Sequence, residues 1–280
     1  MQWQKAKTIL ILAFLCINIF LLCYLLPTQQ TESRQAFRNL TDALAKNDIH
    51  LRMDALPKTE TVVFVPEFSV PKLSKKQIEK LVESPVAIDN GYESSDKTQK
   101  LELKSNTIFY EDTAPSQKGF RRVNAKNVVS KLKPYLSALG VEEYAYPVDI
   151  SEIQDEIVVE YAYQTENRKL FDSHLRFTVG KDGIHRIAGH YSVPDSENGF
   201  SYSLSQLKTI LMSLAQTEEQ TVEIIDIEPG YYFISYTDAL VSQAIPVYAI
   251  RTVRGNILMD ARDGVETGER ILSRRIEGGI

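Results

Sequence analysis

The longest apolar run in the chain, Thr8 to Leu26, reads TILILAFLCINIFLLCYLL and holds 19 residues without a charge. As a helix rising about 1.5 Å per residue it covers roughly 28 Å, close to the ~30 Å hydrocarbon core of a bilayer. The pattern predicts one membrane-spanning helix, stopped at Pro27. A cleaved signal peptide fits less well, because the run is long and no Ala-x-Ala follows it. Leu15 and Leu22 precede the two cysteines where a lipoprotein would need a small residue.

Beyond the run the period changes. Residues 31–47 read as a helix with Phe37, Leu40 and Leu44 on one stripe, broken at Asn47-Asp48. Ile49–Met53 alternates like a strand, and Thr61–Val65 is a β-rich run closed by Pro66. Ser74–Glu83 reads as a helix capped by Ser74. Strands follow at Lys100–Lys104 and Thr107–Glu111. Asn124–Leu139 is a helix with Val128, Leu132, Leu136 and Leu139 inward, bent by Pro134 and stopped by Gly140.

A second series begins near Pro147. Glu156–Gln164, Leu170–Val179 and Ile184–Val193 predict three antiparallel strands, and Asp195–Gly199 a loop. Ser203–Gln216 predicts a helix. Strands are then expected at Thr221–Ile227, Tyr231–Tyr236, Ile245–Val253 and Asn256–Asp260, with turns at Pro229-Gly230 and Arg254-Gly255. Both series run strands, helix, strand. The expectation is an α+β chain: a cytoplasmic segment 1–7, a transmembrane helix 8–26, a membrane-proximal unit 27–146, a distal unit 147–264 and a flexible tail 265–280.

Charge sets the orientation. Lys5 and Lys7 flank the apolar run with no acidic residue before Leu26, so the N-terminus is expected to stay cytoplasmic and the bulk outside. The net charge of −5 less that +2 leaves −7 for the remainder, which argues against a nucleic-acid partner. Cys16 and Cys23 both lie inside the run. The outer part therefore has no disulfide, cysteine cluster or thiol nucleophile.

Asn18 is the sole amide in the run. Helical spacing puts it on one face with Ile11, Phe14, Leu15, Leu21, Leu22 and Leu25. Two readings stay open: a hydrogen bond to a neighbouring transmembrane helix, or a bond to its own backbone. Ile11, Phe14, Asn18, Leu21, Leu22 and Leu25 are the candidate interaction face.

Catalytic patterns are wanting. His185 and His190 lie five apart on one expected strand and face opposite sides, which suits no shared metal, although His174 could approach His185 across the hairpin. Ser205-x-x-Lys208 lacks the companion motifs of a Ser-Lys hydrolase and sits where a helix start wants polar residues. Asp260–Gly264 reads as a turn rather than a calcium loop. No catalytic, metal or cofactor set is expected. The 14 tyrosines, Tyr144, Tyr146, Tyr161, Tyr163, Tyr191, Tyr202, Tyr231, Tyr232, Tyr236 and Tyr248 among them, suit either sheet interiors or a partner-binding face.

The opening Met1-x-Trp3-x-Lys5-x-Lys7-Thr8-Ile9-Leu10-Ile11, with Phe14-Leu15-x-x-Asn18-Ile19-Phe20-Leu21, resembles the start of the YycI family. The helix ending Lys46-Asn47-Asp48-Ile49, the following Leu56-Pro57, and Ala244-Ile245-Pro246-Val247-Tyr248 with Asp260–Gly264 are also similar to it. Tyr248 stands where that family more commonly has Trp. The resemblance implies an extracytoplasmic protein of Gram-positive bacteria, fixed in the cell membrane by one span. It implies action with a YycH-like paralogue on a WalK-like sensor histidine kinase of cell-wall homeostasis. It further implies two units similar to the outer domains of YycH, transmembrane contacts to the kinase, and no catalytic residues. The alternative is a surface-tethered peptide-binding or protease-inhibiting module.

Overall fold

The computed structural model describes the chain except residues 1, 105, 118, 166–167, 219, 234–240, 243, 266, 268–270 and 273–280; for 2, 4–6, 8–9, 21–34, 196, 241–242 and 271–272 it describes the backbone alone.

Helix α1 (Gln2–Ala45) is continuous, so Pro27 does not end it. A proline's fixed φ suits a helix, and its cost is one backbone hydrogen bond and some crowding of the preceding turn. No helix of the described residues is long and apolar enough to cross a membrane. The expected span reaches past the described side chains on both sides, at Thr8, Ile9 and residues 21–26.

The chain turns at Asp48, whose φ of 59° is positive, into β1 (Ile49–Leu51). Next come β2 (Val62–Ser69), α2 (Lys75–Leu81), β3 (Pro85–Ile88), β4 (Gly91–Ser94), β5 (Gln99–Lys104) and β6 (Thr107–Asp112). Then follow α3 (Val128–Leu139), β7 (Ala145–Ile153), β8 (Glu156–Thr165), β9 (Arg168–Val179) and β10 (Ile184–His190). The chain continues with β11 (Val193–Ser203), α4 (Leu207–Thr217), β12 (Val222–Phe233), β13 (Val241–Ser242), β14 (Ala244–Thr252), β15 (Gly255–Asp260) and β16 (Ile271–Leu272). The fold is α+β and mostly sheet.

Among the described residues 13 strands form one sheet. Its main path is β16-β15-β14-β12-β9-β10-β6-β5-β4-β3, with β8 and then β7 branching from β9, and β1 parallel to β12. A smaller sheet, β11-β2-β13, has its own hydrogen-bonded ladder and packs its β2 side chains into the core of the larger one. The larger sheet is continuous across the expected 146/147 boundary. That boundary falls inside β7, and β10 pairs with β6 of the preceding half.

Two apolar cores result. The larger takes Val128, Leu132, Leu136 and Leu139 of α3, inner residues of β5, β6 and β8–β10 such as Leu101, Val159, Phe177 and Ile187, and Val63, Val65 and Phe68 of β2. The smaller takes Leu207, Ile210, Leu211 and Leu214 of α4, Ile224 and Ile227 of β12, Tyr248 and Ile250 of β14 and Met259 of β15, together with Leu44 and Ile49. Burying each such aliphatic side chain contributes on the order of 2 kcal/mol.

Several expected boundaries shift. Pro66 lies inside β2, opposite the bulge of β11 between Asp195 and Gly199, a segment expected to be a loop. Bulges are places where a strand tolerates a residue that cannot extend the ladder. Pro229-Gly230 is not a turn. Both lie within the twelve-residue β12, paired with Tyr248 and Val247. A Cβ on Gly230 would sit 2.4 Å from Phe171 Cε2 and 2.5 Å from Lys169 O, so close strand approach explains this glycine. The segment expected only as tail adds β16 to β15, and Thr267 N donates to Leu258 O at 2.8 Å; residues 273–280 lie outside the described residues. Ser105, part of the expected β5–β6 turn, lies outside them too, as does Tyr236.

Candidate functional site

On α1, Ile11 is 67% exposed and Phe14 70%. Asn18 lies on the same face, and its Nδ2 donates to Phe14 O at 2.8 Å. The amide thus satisfies one donor on its own helix, the second of the two readings, and its Oδ1 has no partner among the described residues. The side chains of Leu21, Leu22 and Leu25 lie outside the described residues.

The other end of α1 is held. Leu44 has no exposed surface and packs with α4 in the smaller core, with half-buried Leu40 beside it. Asn47 N and Asp48 N donate to Leu44 O and Ala45 O, and β1 then joins β12 in register Ile49↔Val222. Helix, turn and strand are therefore fixed to the sheet, with no free linker between Ala45 and Ile49.

The strongest polar constellation lies elsewhere. An open cleft of 1120 Å³ is formed by the β7–β8 turn, the β9–β10 turn and the loop containing Ser116, Gln117 and Arg121. Within it His185 Nδ1 is 2.7 Å from Glu156 Oε1, and Nε2 is 2.7 Å from Asp182 Oδ1. Only the imidazolium can donate from both nitrogens. Partial burial pushes the His185 pKa down, but the hydrogen bonds and charges of Asp182 and Glu156 outweigh it, so the net shift is upward. The same hydrogen bond lowers the Asp182 carboxyl.

Glycine makes room for the clamp: a Cβ on Gly180 would meet Asp182 Oδ1 at 2.5 Å and His185 Nε2 at 2.6 Å. Gln117 ties the loop to the same turn, its Oε1 accepting from Ile184 N at 2.7 Å and its N donating to Asp182 O at 2.8 Å. With both ring nitrogens engaged on opposite sides, His185 offers no lone pair to a metal or a substrate proton. The cluster binds two strands and a turn together.

The remaining histidines do not converge on it. The register places His174 toward His190 rather than His185, because Val179 faces Ile184 at the turn and Leu175 faces Gly189. Burial, and then the charge of His174, lower the His190 pKa. The His190 ring stacks on Phe233 at 5.2 Å, and its Nε2 lies 2.8 Å from Asn106 Nδ2. His50 is exposed on β1. Among the described residues no group of three or more His, Cys, Asp or Glu is placed to hold a metal. Ser205 Oγ donates to Arg262 O at 2.5 Å, fastening the Asp260–Gly264 turn beside the start of α4. In that turn Arg262 donates from Nε to Oδ1 and from Nη2 to Oδ2 of the buried Asp260.

Tyr161, Tyr163, Tyr191, Tyr231 and Tyr248 are buried core residues, which removes them from a surface groove. Their polar tips reach backbone where they can: Tyr191 Oη donates to Leu139 O at 2.7 Å and Tyr163 Oη to His190 O at 2.9 Å.

Two features leave no local signal in the sequence. Asp172 sits in the irregular stretch of β9 between Leu170 and His174. Its Oδ2 accepts from Phe233 N at 3.2 Å, while its buried Oδ1 has no partner. Burial pushes this carboxyl up to about 6. The second is β7, a nine-residue strand paired only with β8 among the described residues. A period-two reading misses it, because Pro147 interrupts the run and exposed apolar and acidic residues fall on both faces.

No protein-family model matches the chain, and no curated protein matches it. Among solved structures it is similar to an uncharacterized protein from Eubacterium rectale, with 9% identity, a TM-score of 0.44 and coverage of 84% of this chain and 99% of that one. It is similar to the Bacillus megaterium YpeB C-terminal domain at 11% identity and a TM-score of 0.35, covering 86% of this chain and 96% of that domain. It is also similar to YycH from Bacillus subtilis at 11% identity and a TM-score of 0.44, over 72% of this chain and 53% of the YycH chain.

Proposed function

We propose that this protein is a membrane-anchored accessory regulator of a WalK-like sensor histidine kinase, acting together with a YycH-like partner. The resemblance of its first 21 residues to the YycI family suggests the kinase. The observation that carries the reading is the attachment of α1: the helix bearing the apolar run ends in a core, at Leu44, and not in a loose tether. A displacement of the outer domain is then passed to the span as rotation or tilt. A tethered hydrolase would have no use for such coupling.

In this reading the N-terminus is cytoplasmic, residues 8–26 cross the membrane, and the α+β domain lies outside. Ile11, Phe14, Asn18, Leu21, Leu22 and Leu25 face the kinase helices. Asn18 exchanges its bond to Phe14 O for an interhelical one, worth about 0.6–2 kcal/mol. The regulator shifts the kinase only as far as it binds one signalling state more tightly than the other. It supplies no catalytic group.

Substitution of Asn18 by Leu, or exchange of residues 8–26 for an unrelated span, is expected to reduce co-purification with the kinase and to change its signalling output in membranes. Undiminished capture and unchanged output in both variants would remove the anchor mechanism.

A further inference from the structure

The outer edge of β7 has no strand beside it among the described residues, although β7 is nine residues long. The two ends of the main path are shorter: β3 has four residues and begins at Pro85, and β16 has two. An unpaired edge offers a row of backbone donors and acceptors to an incoming chain. Edges of this kind are normally blunted. Here the backbone devices are confined to the first half, where Pro147 and the register shift between Pro147 and Asp149 disturb the pairing, and the second half carries the charges of Asp149 and Glu152 alone. From Asp149 to Ile153 the ladder with β8 is regular.

Around those two charges the edge carries exposed apolar side chains. Val148 is 47% exposed, Ile150 37% and Ile153 57%. Asp149, Ser151 and Ile153 line the rim of a 460 Å³ groove on the outer sheet face, and Ile150 lies opposite Val159 on the core side. Both faces of the edge thus present apolar surface where a neighbouring strand would cover it.

Charge selects the occupant. Residues 142–156 contain six acidic side chains and no Lys, Arg or His. Three acids nearby are already engaged: Asp155 with Lys181 at 3.5 Å, Glu156 with His185 at 2.7 Å and Glu160 with Arg176 at 3.6 Å. Asp149 and Glu152, the two on the open edge, have no ion-pair partner among the described residues. A second copy of this chain laid against β7 would bring like charges together, which is unfavourable across strands.

We propose that β7 is a strand-addition site for an extended segment of another protein that carries Lys or Arg at two positions three apart, each next to an apolar residue. Read antiparallel to β7, the segment places apolar residues beside Ile153 and Ile150 and bases beside Glu152 and Asp149, giving the order apolar-basic-x-apolar-basic. Its backbone extends the β9-β8-β7 ladder, and alternate side chains cover the two faces. This docking is separate from helix contacts in a bilayer, so loss of either leaves the other in place.

The test uses the full-length protein in detergent and a dye-labelled peptide with the core Val-Lys-Thr-Val-Lys. Saturable binding is expected, with slowed amide exchange at Asp149–Ile153. The double variant D149K/E152K is expected to weaken it about tenfold, and a Val-Glu-Thr-Val-Glu peptide to recover binding to that variant. Two peptides N-methylated in alternate frames distinguish strand addition from loose charge attraction: one frame loses binding and the other keeps it. Each of three results overturns the proposal: no saturation of the Lys peptide, equal loss in both methylated frames, or self-association of the protein through β7 that excludes the peptide.

Discussion

His185 and Glu156 meet across the β8–β10 end of the sheet, with Nδ1 2.7 Å from Oε1, while the opposite ring nitrogen meets Asp182 at the same distance. One imidazolium thereby joins the start of β8 to the β9–β10 turn. The sign of its contribution follows from the shifts. A raised His185 pKa gives stability that is complete below the unfolded value of 6.5 and fades as pH rises through the folded value. A lowered Asp182 pKa gives stability present above 3.8 and lost as pH falls through its folded value. The clamp therefore works best between those two pH values. His185→Gln is expected to lower the midpoint of urea unfolding near pH 5.5 and to have little effect at pH 9. An equal effect at both pH values would show that charge is not what holds the clamp.

Asp172 behaves in the opposite sense. Its folded pKa of about 6 lies above the unfolded 3.8, so the folded state holds the proton more tightly. Stability is lost as pH rises from 3.8 through 6, and the penalty is complete above that. Asp172→Asn keeps an acceptor for Phe233 N and removes the buried charge. A gain of about 1–3 kcal/mol is expected at pH 8 and little below pH 4, read from denaturant unfolding at each pH. A loss of stability at pH 8 would contradict this account.

Leu44 links the long helix to the smaller core. Leu44→Ala leaves a cavity against α4 and is expected to cost about 2–5 kcal/mol. Unfolding followed by circular dichroism measures it. A cost under about 1 kcal/mol would mean that α1 is not held there.

Gly230 tests the reading of Pro229-Gly230 as strand. Gly230→Ala forces its Cβ against Phe171 and the Lys169 carbonyl, and a loss of about 1–3 kcal/mol is expected in the same assay. In a true turn the substitution would be nearly neutral.

Legibility followed the local character of each signal. Helix α3 was readable because its apolar stripe, the Asn124 entrance turn and the Gly140 stop all lie within a short window. Gly140 ends it with a φ of 74°. Asn124 Oδ1 accepts from Lys126 N and Asn127 N, so the regular helix starts only at Val128, a turn later than the side-chain pattern implies. Strands β8, β9 and β10 were readable because each alternates and ends at a turn. The side-chain pattern starts α4 at Ser203, whereas the helix starts at Leu207, because Ser203 continues β11 and Ser205 is drawn off by Arg262. The pattern divides β12 in two, because Pro-Gly is a turn signal unless another strand presses on the glycine.

The amino-acid order by itself determined the apolar run and its flanking charges, the main helices, the three central strands and the α+β class, since each depends on spacing within a few residues. It also placed Asn18 among its neighbours on the helix. Only the tertiary structure decided that both halves share one sheet, that His185 belongs to Glu156 and Asp182 instead of His174, that Tyr161, Tyr163, Tyr191, Tyr231 and Tyr248 are core, and that β7 is paired on one side alone among the described residues. Those outcomes depend on strand register and on which surfaces meet across long separations, and register is set by packing of the whole sheet rather than by any segment alone.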